Sequence, residues 1–424
     1  MLNEATWEYV KAHRMEDVRR LALSGSKAEG VDMLFALQQI AGWQTARRKL
    51  PSWAAVDGIV YPPHLNMEQC SSEQTARYKG KVVAQNFEIS RYRDNDISTR
   101  QFSFVDLTGG LGVDFSFMSR PFSKRTYVER NPELCEIARH NFQLLGLEAE
   151  VICDDSVSFL AKMPHSNVVF LDPARRDEHG GRTYGIEDCT PNVLELLPLL
   201  KEKADTIMLK LSPMLDWRKA VSDLGGVSEV HIVSADNECK ELLLVIRQDL
   251  STTPLLVCVN GDSSFQIVPS METDSFRHGN SQFLPRKLTV PAKETDSSAK
   301  ETIRELTLLE PNASIMKAGC FKEIAQMYGI QQLSANSHLF VSDHDIEDFP
   351  GRRFTVERMT SMNKQELKTA MAGIDRANVA VRNFPLTAEQ LRKKLKIKDG
   401  GGVFIFGTTL QEGAHRLFIC RKIG

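Results

Sequence analysis

The stretch Phe104–Arg176 constrains this chain most, because within it four short apolar runs each break into acid, glycine or proline. They read FVDLTGGLGVD, TYVERNPELCEIARHNFQLLGL, VICDDSVSFL and NVVFLDPARRD. Each run is β-branched or aromatic and too short for a helix, as a central parallel strand buried on both faces requires. In an open α/β sheet the carboxyl ends of such strands surround the ligand crevice. Four of them in so short a stretch predict an α/β fold and locate its binding site.

The first run ends at Asp106, and Thr108, Gly109, Gly110 and Gly112 form the turn after it. Glycines there permit a tight backbone path and let a ligand approach the main chain. Glu129 ends the second run, where a carboxylate can accept hydrogen bonds from a ribose diol. Asn131-Pro132 follows, and proline costs nothing at a helix start. Asp154-Asp155-Ser156 ends the third run and suits both an exocyclic amine and the capping of a helix. Asp172-Pro173-Ala174-Arg175 ends the fourth. Singly, each has a plainer reading: a common glycine turn, a surface acid, a helix cap, an Asp-Pro turn. Only the ordered series is specific.

Laid end to end, these blocks resemble the class I S-adenosylmethionine-dependent methyltransferases, from about Lys79 to Arg247. The resemblance implies a Rossmann-like sheet with S-adenosylmethionine as cofactor. Asp106 with Thr108 to Gly112 would hold the methionine moiety, Glu129 the ribose hydroxyls, and Asp155, beside Asp154, the adenine amine. Thr108 stands where many members have Gly; DLTGGLGVD with VERNP and LDP is closer to a ribosomal-RNA guanine methyltransferase branch. Enzymes acting on exocyclic amines carry Asp/Asn-Pro-Pro-aromatic in the fourth motif, whereas here Asp-Pro is followed by Ala174-Arg175. Those acting on pyrimidine carbon carry Asp-Pro-Pro-Arg and a later nucleophilic cysteine, which is not evident after Lys210-Leu211-Ser212-Pro213. The nearest cysteine, Cys239, precedes a strand-like run. A neutral amine needs little activation, and Asp172 with the Pro173 carbonyl could orient its lone pair by proximity. Lys210 and Ser212 are expected to form the opposite wall. Arg175 is expected near the entrance, where a guanidinium could stack on a base or fork onto a phosphate.

Composition sets the remaining limits. A chain of 424 residues, 42% apolar and 25% charged, suits a globular protein of two to four domains. No apolar stretch reaches the ~20 residues of a membrane span, and the charged amino terminus has no signal-like run. The eight cysteines and ten histidines show no ligand spacing. We expect free thiols in a reducing cytoplasm and no structural metal.

The net charge of −2 conceals an asymmetry. From Arg352 to Gly424 fifteen Lys or Arg face six Asp or Glu, a net +9 that leaves −11 on the rest. A basic end on an acidic body suggests a module facing a polyanion. Arg392, Lys393, Lys394, Lys396 and Lys398 are its densest part, and they equally fit the solvated face of an amphipathic helix.

Along the chain, residues 1–85 read as helical. Trp7, Val10, Val18, Leu21 and Leu23 mark one amphipathic stretch, and Val31 to Ile40 with Trp43 another. Ser71-Ser72-Glu73-Gln74 resembles a capping box opening a helix through Tyr78 and Lys79. The core, 86–250, closes with the strand pair EVHIVSA and ELLLVIRQ. Short strands and helices then alternate through 251–350, with a polar linker at Ala292–Lys300, and through 351–424. These two segments resemble the ferredoxin-like and THUMP-like domains at the carboxyl end of Bacteroidetes-type methyltransferases. The tail VRNFPLTAEQLRKKLKIKDGGG…FIFGTT carries that likeness. True THUMP domains bind RNA, tRNA in particular, so the resemblance implies a structured tRNA or rRNA as partner.

Three other readings stand beside an RNA methyltransferase. A nicotinamide-dependent dehydrogenase would need a third glycine after Gly110-Leu111-Gly112, where Val113-Asp114 stand instead. A non-catalytic RNA-binding or assembly factor would account for the missing aromatic after Asp172-Pro173. A small-molecule methyltransferase would leave the basic module without a purpose.

Overall fold

The computed structural model describes residues 3–23, 29–93, 102–175, 185–247, 253–268 and 306–424; the side chains of 87–93 and of Arg175 lie outside that description. So does the linker expected at Ala292–Lys300. The chain divides into two units, Met1–Ala235 with Lys240–Pro254, and Asp236–Cys239 with Leu255–Gly424.

Among the described residues the first unit opens with the helices α1 Glu4–His13, α2 Val18–Leu23, α3 Met33–Lys49, α4 Pro51–Ala54, α5 His64–Gln69 and α6 Glu73–Arg93. The single stretch expected from Trp7 to Leu23 is two helices. The Glu16 amide bonds back to the His13 carbonyl, and Asp17 accepts from the Arg20 amide at 2.8 Å to start a new turn. Leu23 consequently lies exposed. The capping box at Ser71–Gln74 does not form either. Ser72 Oγ accepts from the Thr75 amide at 3.2 Å, but the residue three positions on is a threonine with no carboxylate to answer. Ser71 turns to Asp114 instead, donating to Oδ2 at 2.7 Å.

The strands of this unit are β1 Ser103–Asp106, β2 Lys124–Glu129, β3 Glu150–Cys153, β4 Ser166–Leu171, β5 Ala174–Arg175, β6 Cys189–Thr190, β7 Ala204–Leu211, β8 Val227–Ala235 and β9 Glu238–Arg247. Helices α7 Val113–Met118, α8 Pro132–Leu144, α9 Ser156–Lys162, α10 Val193–Lys203 and α11 Trp217–Leu224 separate them. The main sheet runs β8-β9-β7-β4-β1-β2-β3, while β5 and β6 pair by themselves. From β7 to β3 all pairings are parallel, and β9 joins β7 antiparallel. Strand order reverses between β1 and β4, the switch point where the carboxyl ends leave a crevice.

Phe104, Phe115, Phe122, Tyr127, Phe142, Phe170 and Met208 fill the core around β1. A second cluster joins Leu111 and Val113, flanking Gly112, to Trp53, Ile59, Tyr61 and Met67. The helical region is therefore built against the glycine turn. Helix α6 is fastened by buried polar contacts: Tyr78 Oη lies 2.7 Å from His231 Nδ1, and His231 Nε2 lies 2.9 Å from Glu229, which also pairs with Arg247 at 3.1 Å.

The second unit contains the hairpin β10 Leu255–Asn260 and β11 Ser263–Ile267, then β12 Thr307–Pro311, β13 Gln331–Gln332, β14 Phe340–Ser342, β15 Gly351–Thr360, β16 Asn378–Arg382, β17 Val403–Thr409 and β18 His415–Ile423. Its helices are α12 Ala313–Ala318, α13 Phe321–Tyr328, α14 Lys364–Ala370 and α15 Ala388–Leu395. One sheet runs β13-β14-β12-β15-β18-β17-β16, and α15 makes the crossover between the parallel strands β16 and β17. Buried Glu310 on β12 pairs with Arg352 and, at 2.9 Å, with Arg382 at the end of the edge strand β16.

Candidate functional site

Asp106, Glu129, Asp154 and Asp172 stand at or just beyond the carboxyl ends of β1, β2, β3 and β4. The turn after β1 explains its glycines by contact. A Cβ at Gly109 would lie 2.1 Å from the Tyr127 ring and one at Gly112 2.6 Å from Phe142, so neither position admits a side chain. At Gly110, where φ is +55°, the nearest atom to an added Cβ is 3.9 Å away. The turn is thus packed beneath and open above.

Glu129 organises this turn. One carboxylate oxygen accepts from the Gly110 amide at 2.9 Å and the other from the Asn131 amide at 2.8 Å. Each oxygen keeps a lone pair for a further donor. Asp155 caps α9, its Oδ2 accepting from the amides of Val157 and Ser158 at 3.1 and 3.0 Å. Its Oδ1 accepts no bond among the described residues. Asp154 is half-buried, accepts from the Asp155 amide at 2.8 Å and lies 3.6 Å from Lys162.

Thr108 supplies what glycine could not. Its hydroxyl accepts from the Asp172 amide at 2.6 Å, tying the turn after β1 to the residue ending β4. Asp106 is fully buried, accepts from the Thr108 amide at 2.9 Å, and has no cation beside it among the described residues. Burial, helped by the carboxylates of Asp114, Asp172 and Glu129 and opposed by the Thr108 amide, holds its pKa well above the ordinary aspartate value.

Asp172 is half-exposed, and its Oδ2 lies 2.6 Å from Lys210 Nζ. Lys210 is therefore not an opposite wall. It follows an apolar run on β7, the strand next to β4, so its stem lies alongside and its ammonium closes on Asp172. Burial pulls the Lys210 pKa down, but Asp172, Asp114 and Glu241 outweigh it and hold the group well above the ordinary lysine value. Ser212 is half-buried, and its hydroxyl accepts from the Met214 amide at 3.2 Å within the turn after β7. Pro173 is buried. The backbone of Arg175 pairs with Cys189, while its side chain and residues 176–184 lie outside the description.

Sequence reasoning missed the groups behind Lys210. Asp114, in the first turn of α7, lies 3.4 Å from Lys210 and 3.2 Å from Lys79 of α6. Lys79 is wholly buried and also pairs with Glu241 of β9 at 2.5 Å. Burial alone would raise the Asp114 pKa, but Lys79 and Lys210 outweigh it and lower it. The signal available was a lone acid in the apolar run VDFSFM. Nothing in the sequence paired it with a lysine thirty-five positions earlier.

The crevice thus gathers more carboxylates than cations around an open, amide-lined turn, an arrangement that fits a positively charged ligand carrying a ribose. Among the described residues no group of three or more His, Cys, Asp or Glu is arranged to hold a metal ion, and no helix is long and apolar enough to cross a membrane. Cys239 lies in the second unit, its thiol donating to the Ala313 carbonyl at 3.3 Å. In the same unit Lys393, Lys394, Lys396 and Lys398 are exposed on and after α15. Lys393 pairs with Glu389 at 2.8 Å and Arg392 with Asp399 at 3.5 Å.

Three family models match the chain: conserved hypothetical protein 95 over residues 65–197, a ferredoxin-like domain over 308–350 and a THUMP domain-like segment over 351–422. A protein of Porphyromonas gingivalis W83, whose crystal structure is described as that of a methyltransferase, is 31% identical. The match covers 99% of this chain and 98% of that one, with a TM-score of 0.79. An uncharacterized S-adenosylmethionine-dependent methyltransferase of Mycobacterium tuberculosis, found in strains CDC 1551 and H37Rv, is 20% identical over 346 residues. That match covers 78% of this chain and 85% of the relative.

Proposed function

The chain belongs to the S-adenosylmethionine-dependent methyltransferases that carry ferredoxin-like and THUMP-like carboxyl-terminal domains, and on that premise we propose that it methylates an exocyclic amine of tRNA or rRNA, the guanine 2-amino group being favoured. One observation carries this reading: Asp172 is a half-exposed carboxylate at the switch point, with one oxygen tied to Lys210 and its main chain tied to the cofactor turn through Thr108.

S-adenosylmethionine, when bound, supplies an electrophilic methyl group. Asp106 and the turn Thr108–Gly112 would hold its methionine end, Glu129 its ribose and Asp155 its adenine amine. Asp172 accepts a hydrogen bond from the substrate amine with its second oxygen and aims the nitrogen lone pair, a contribution of orientation, and the proton that the nitrogen sheds once methylated leaves to solvent. The Pro173 carbonyl offers a second acceptor. An ionised carboxylate can only accept, and with Lys210 on one oxygen at 2.6 Å the other is the acceptor this role needs. The exposed lysines of the second unit support RNA as the polyanion. Eight free cysteines support a reducing, cytoplasmic setting.

The test is methyl transfer to total RNA from cells lacking the gene, with nucleosides resolved by mass spectrometry and cofactor affinity measured by calorimetry. We expect one methylated guanosine to appear, and Asp172→Ala to lose transfer while binding S-adenosylmethionine nearly as tightly. Undiminished transfer by that variant removes Asp172 from the chemistry. No transfer by the natural protein to any RNA favours a non-catalytic factor, the reading that Ala174-Arg175 in place of an aromatic supports.

A further inference from the structure

Asp172 is the outer end of a chain of alternating charges that runs into the core. From Asp172 it passes to Lys210 at 2.6 Å, to Asp114 at 3.4 Å, to Lys79 at 3.2 Å and to Glu241 at 2.5 Å. Side-chain exposure falls from 37% at Asp172 through 13% and 11% to 0% at Lys79, and Glu241 beyond it is at 4%. Ser71 completes the set, donating to Asp114 Oδ2 at 2.7 Å and lying 3.3 Å from Lys79 Nζ. Five elements contribute: the loop after β4, β7, α7, α6 and β9.

Stability is a poor explanation for such a chain. Burying an ion costs several kcal/mol, and well-packed apolar residues of similar volume often serve as well or better. What the arrangement does supply is direction. Asp114 Oδ2 accepts from Ser71 and from Lys210, and its Oδ1, which has no hydrogen-bond partner among the described residues, faces the Lys79 ammonium at 3.2 Å, so the Lys210 ammonium has a held anion behind it. Without Asp114, a lysine on a four-carbon stem would have rotamers that leave Asp172. With it, the ammonium lies between two carboxylates held by different elements.

We infer that Asp114 and Lys79 are positioning residues for the transfer reaction: they hold Lys210 so that one oxygen of Asp172 is bound and the other faces the substrate amine. The inference rests on the function proposed above for Asp172, and it makes the amino-terminal helical region part of the active site, through Lys79 of α6 and Ser71 just before it. The titratable groups facing Lys210 include Asp172 from the loop after β4, Asp114 from α7 and, at longer range, Glu241 from β9 and Cys70 at the end of α5.

The experiment compares the natural full-length protein with Asp114→Asn and Lys79→Gln in two assays. Competitive lysine acylation read by mass spectrometry reports the reactivity of Lys210 and needs no substrate. Removing the Asp114 charge lowers the Lys210 pKa and frees more neutral amine, so labelling at fixed pH should rise about threefold or more, a shift of roughly half a pKa unit or more. Lys79→Gln removes a like charge and leaves Asp114 to Lys210, so labelling should fall instead; it carries the test if Asp114→Asn does not fold. In the transfer assay Asp114→Asn should lose about tenfold or more in kcat with little change in KM, the pattern of a misplaced reacting group. Asp114→Glu should recover part of the loss.

Unchanged Lys210 labelling in both variants overturns the coupling, whatever activity does. Labelling that shifts as expected with undiminished kcat overturns the positioning role. If the natural protein transfers no methyl group to any RNA, the function proposed above falls. The labelling result then stands alone, supporting or refuting the held geometry of Lys210.

Discussion

Thr108→Val isolates the bond that ties the cofactor turn to Asp172. Valine has nearly the shape of threonine, so no cavity opens, and the change removes one acceptor from the Asp172 amide at 2.6 Å. A neutral hydrogen bond contributes about 0.5–1.5 kcal/mol net, and a buried donor left unpaired costs about 1–3 kcal/mol. Asp172 is half-exposed, so water reaches the freed amide in part and the lower half of that range applies, about 1–2 kcal/mol. In local stability that is a factor of about 5–30. The assay is hydrogen exchange at the Asp172 amide. Valine should speed it by about that factor, and serine, which keeps the hydroxyl, should leave it near the natural rate. Methyl transfer should fall with valine, by up to about 10²-fold for a displacement near 1 Å, and survive with serine. Equal protection in the natural and valine proteins would refute the reasoning, because the hydroxyl would then not be what holds Asp172.

Asp106→Asn should stabilise the ligand-free protein near neutral pH. A raised folded-state pKa favours folding fully below the unfolded value of about 4, and that contribution is lost as pH rises through the folded value. Melting curves from pH 4 upward should therefore converge at the acid end and favour asparagine above it; a natural protein as stable as the variant at pH 7 argues against a strained carboxylate. Glu129→Ala frees the Gly110 and Asn131 amides and should weaken S-adenosylmethionine binding by about 1–3 kcal/mol, the range for bonds to a charged group. Calorimetry giving unchanged affinity removes Glu129 from the pocket. Replacing Lys393, Lys394, Lys396 and Lys398 by glutamine should weaken RNA binding and lower its salt slope by about one for each phosphate no longer neutralised. An identical slope would leave the cluster as a solvated helix face, consistent with the pairing of Lys393 to Glu389.

What the sequence by itself determined was every feature that depends on neighbours along the chain. An apolar run ending in an acid is a strand end whatever lies beside it. Accordingly, pattern alone places Asp106, Glu129, Asp154 and Asp172 at one sheet edge, where they stand. The helices and strands of the second unit were legible for the same reason, since TAEQLRKKLKI carries its own cap in Thr387 and Gln390. The amino-terminal reading failed where a local break, the turn between His13 and Asp17, had no glycine or proline to announce it.

Only the tertiary structure decided which side chains meet across the sheet. Lys79, Asp114, Lys210 and Glu241 are spread over more than a hundred and sixty positions and come from a helix, a helix start and two strands. Each looks alone like an ordinary charge on an ordinary element. Their pairing depends on α6 packing beside β9 and on β7 lying next to β4, which strand order and helix docking set and periodicity does not encode. Thr108 shows the same division: the turn was visible in DLTGG, but its hydroxyl finds the Asp172 amide only because β1 and β4 are neighbours. Local pattern specifies what an element is, and burial of its apolar face specifies where it goes. A charge network between elements exists only after both have been satisfied.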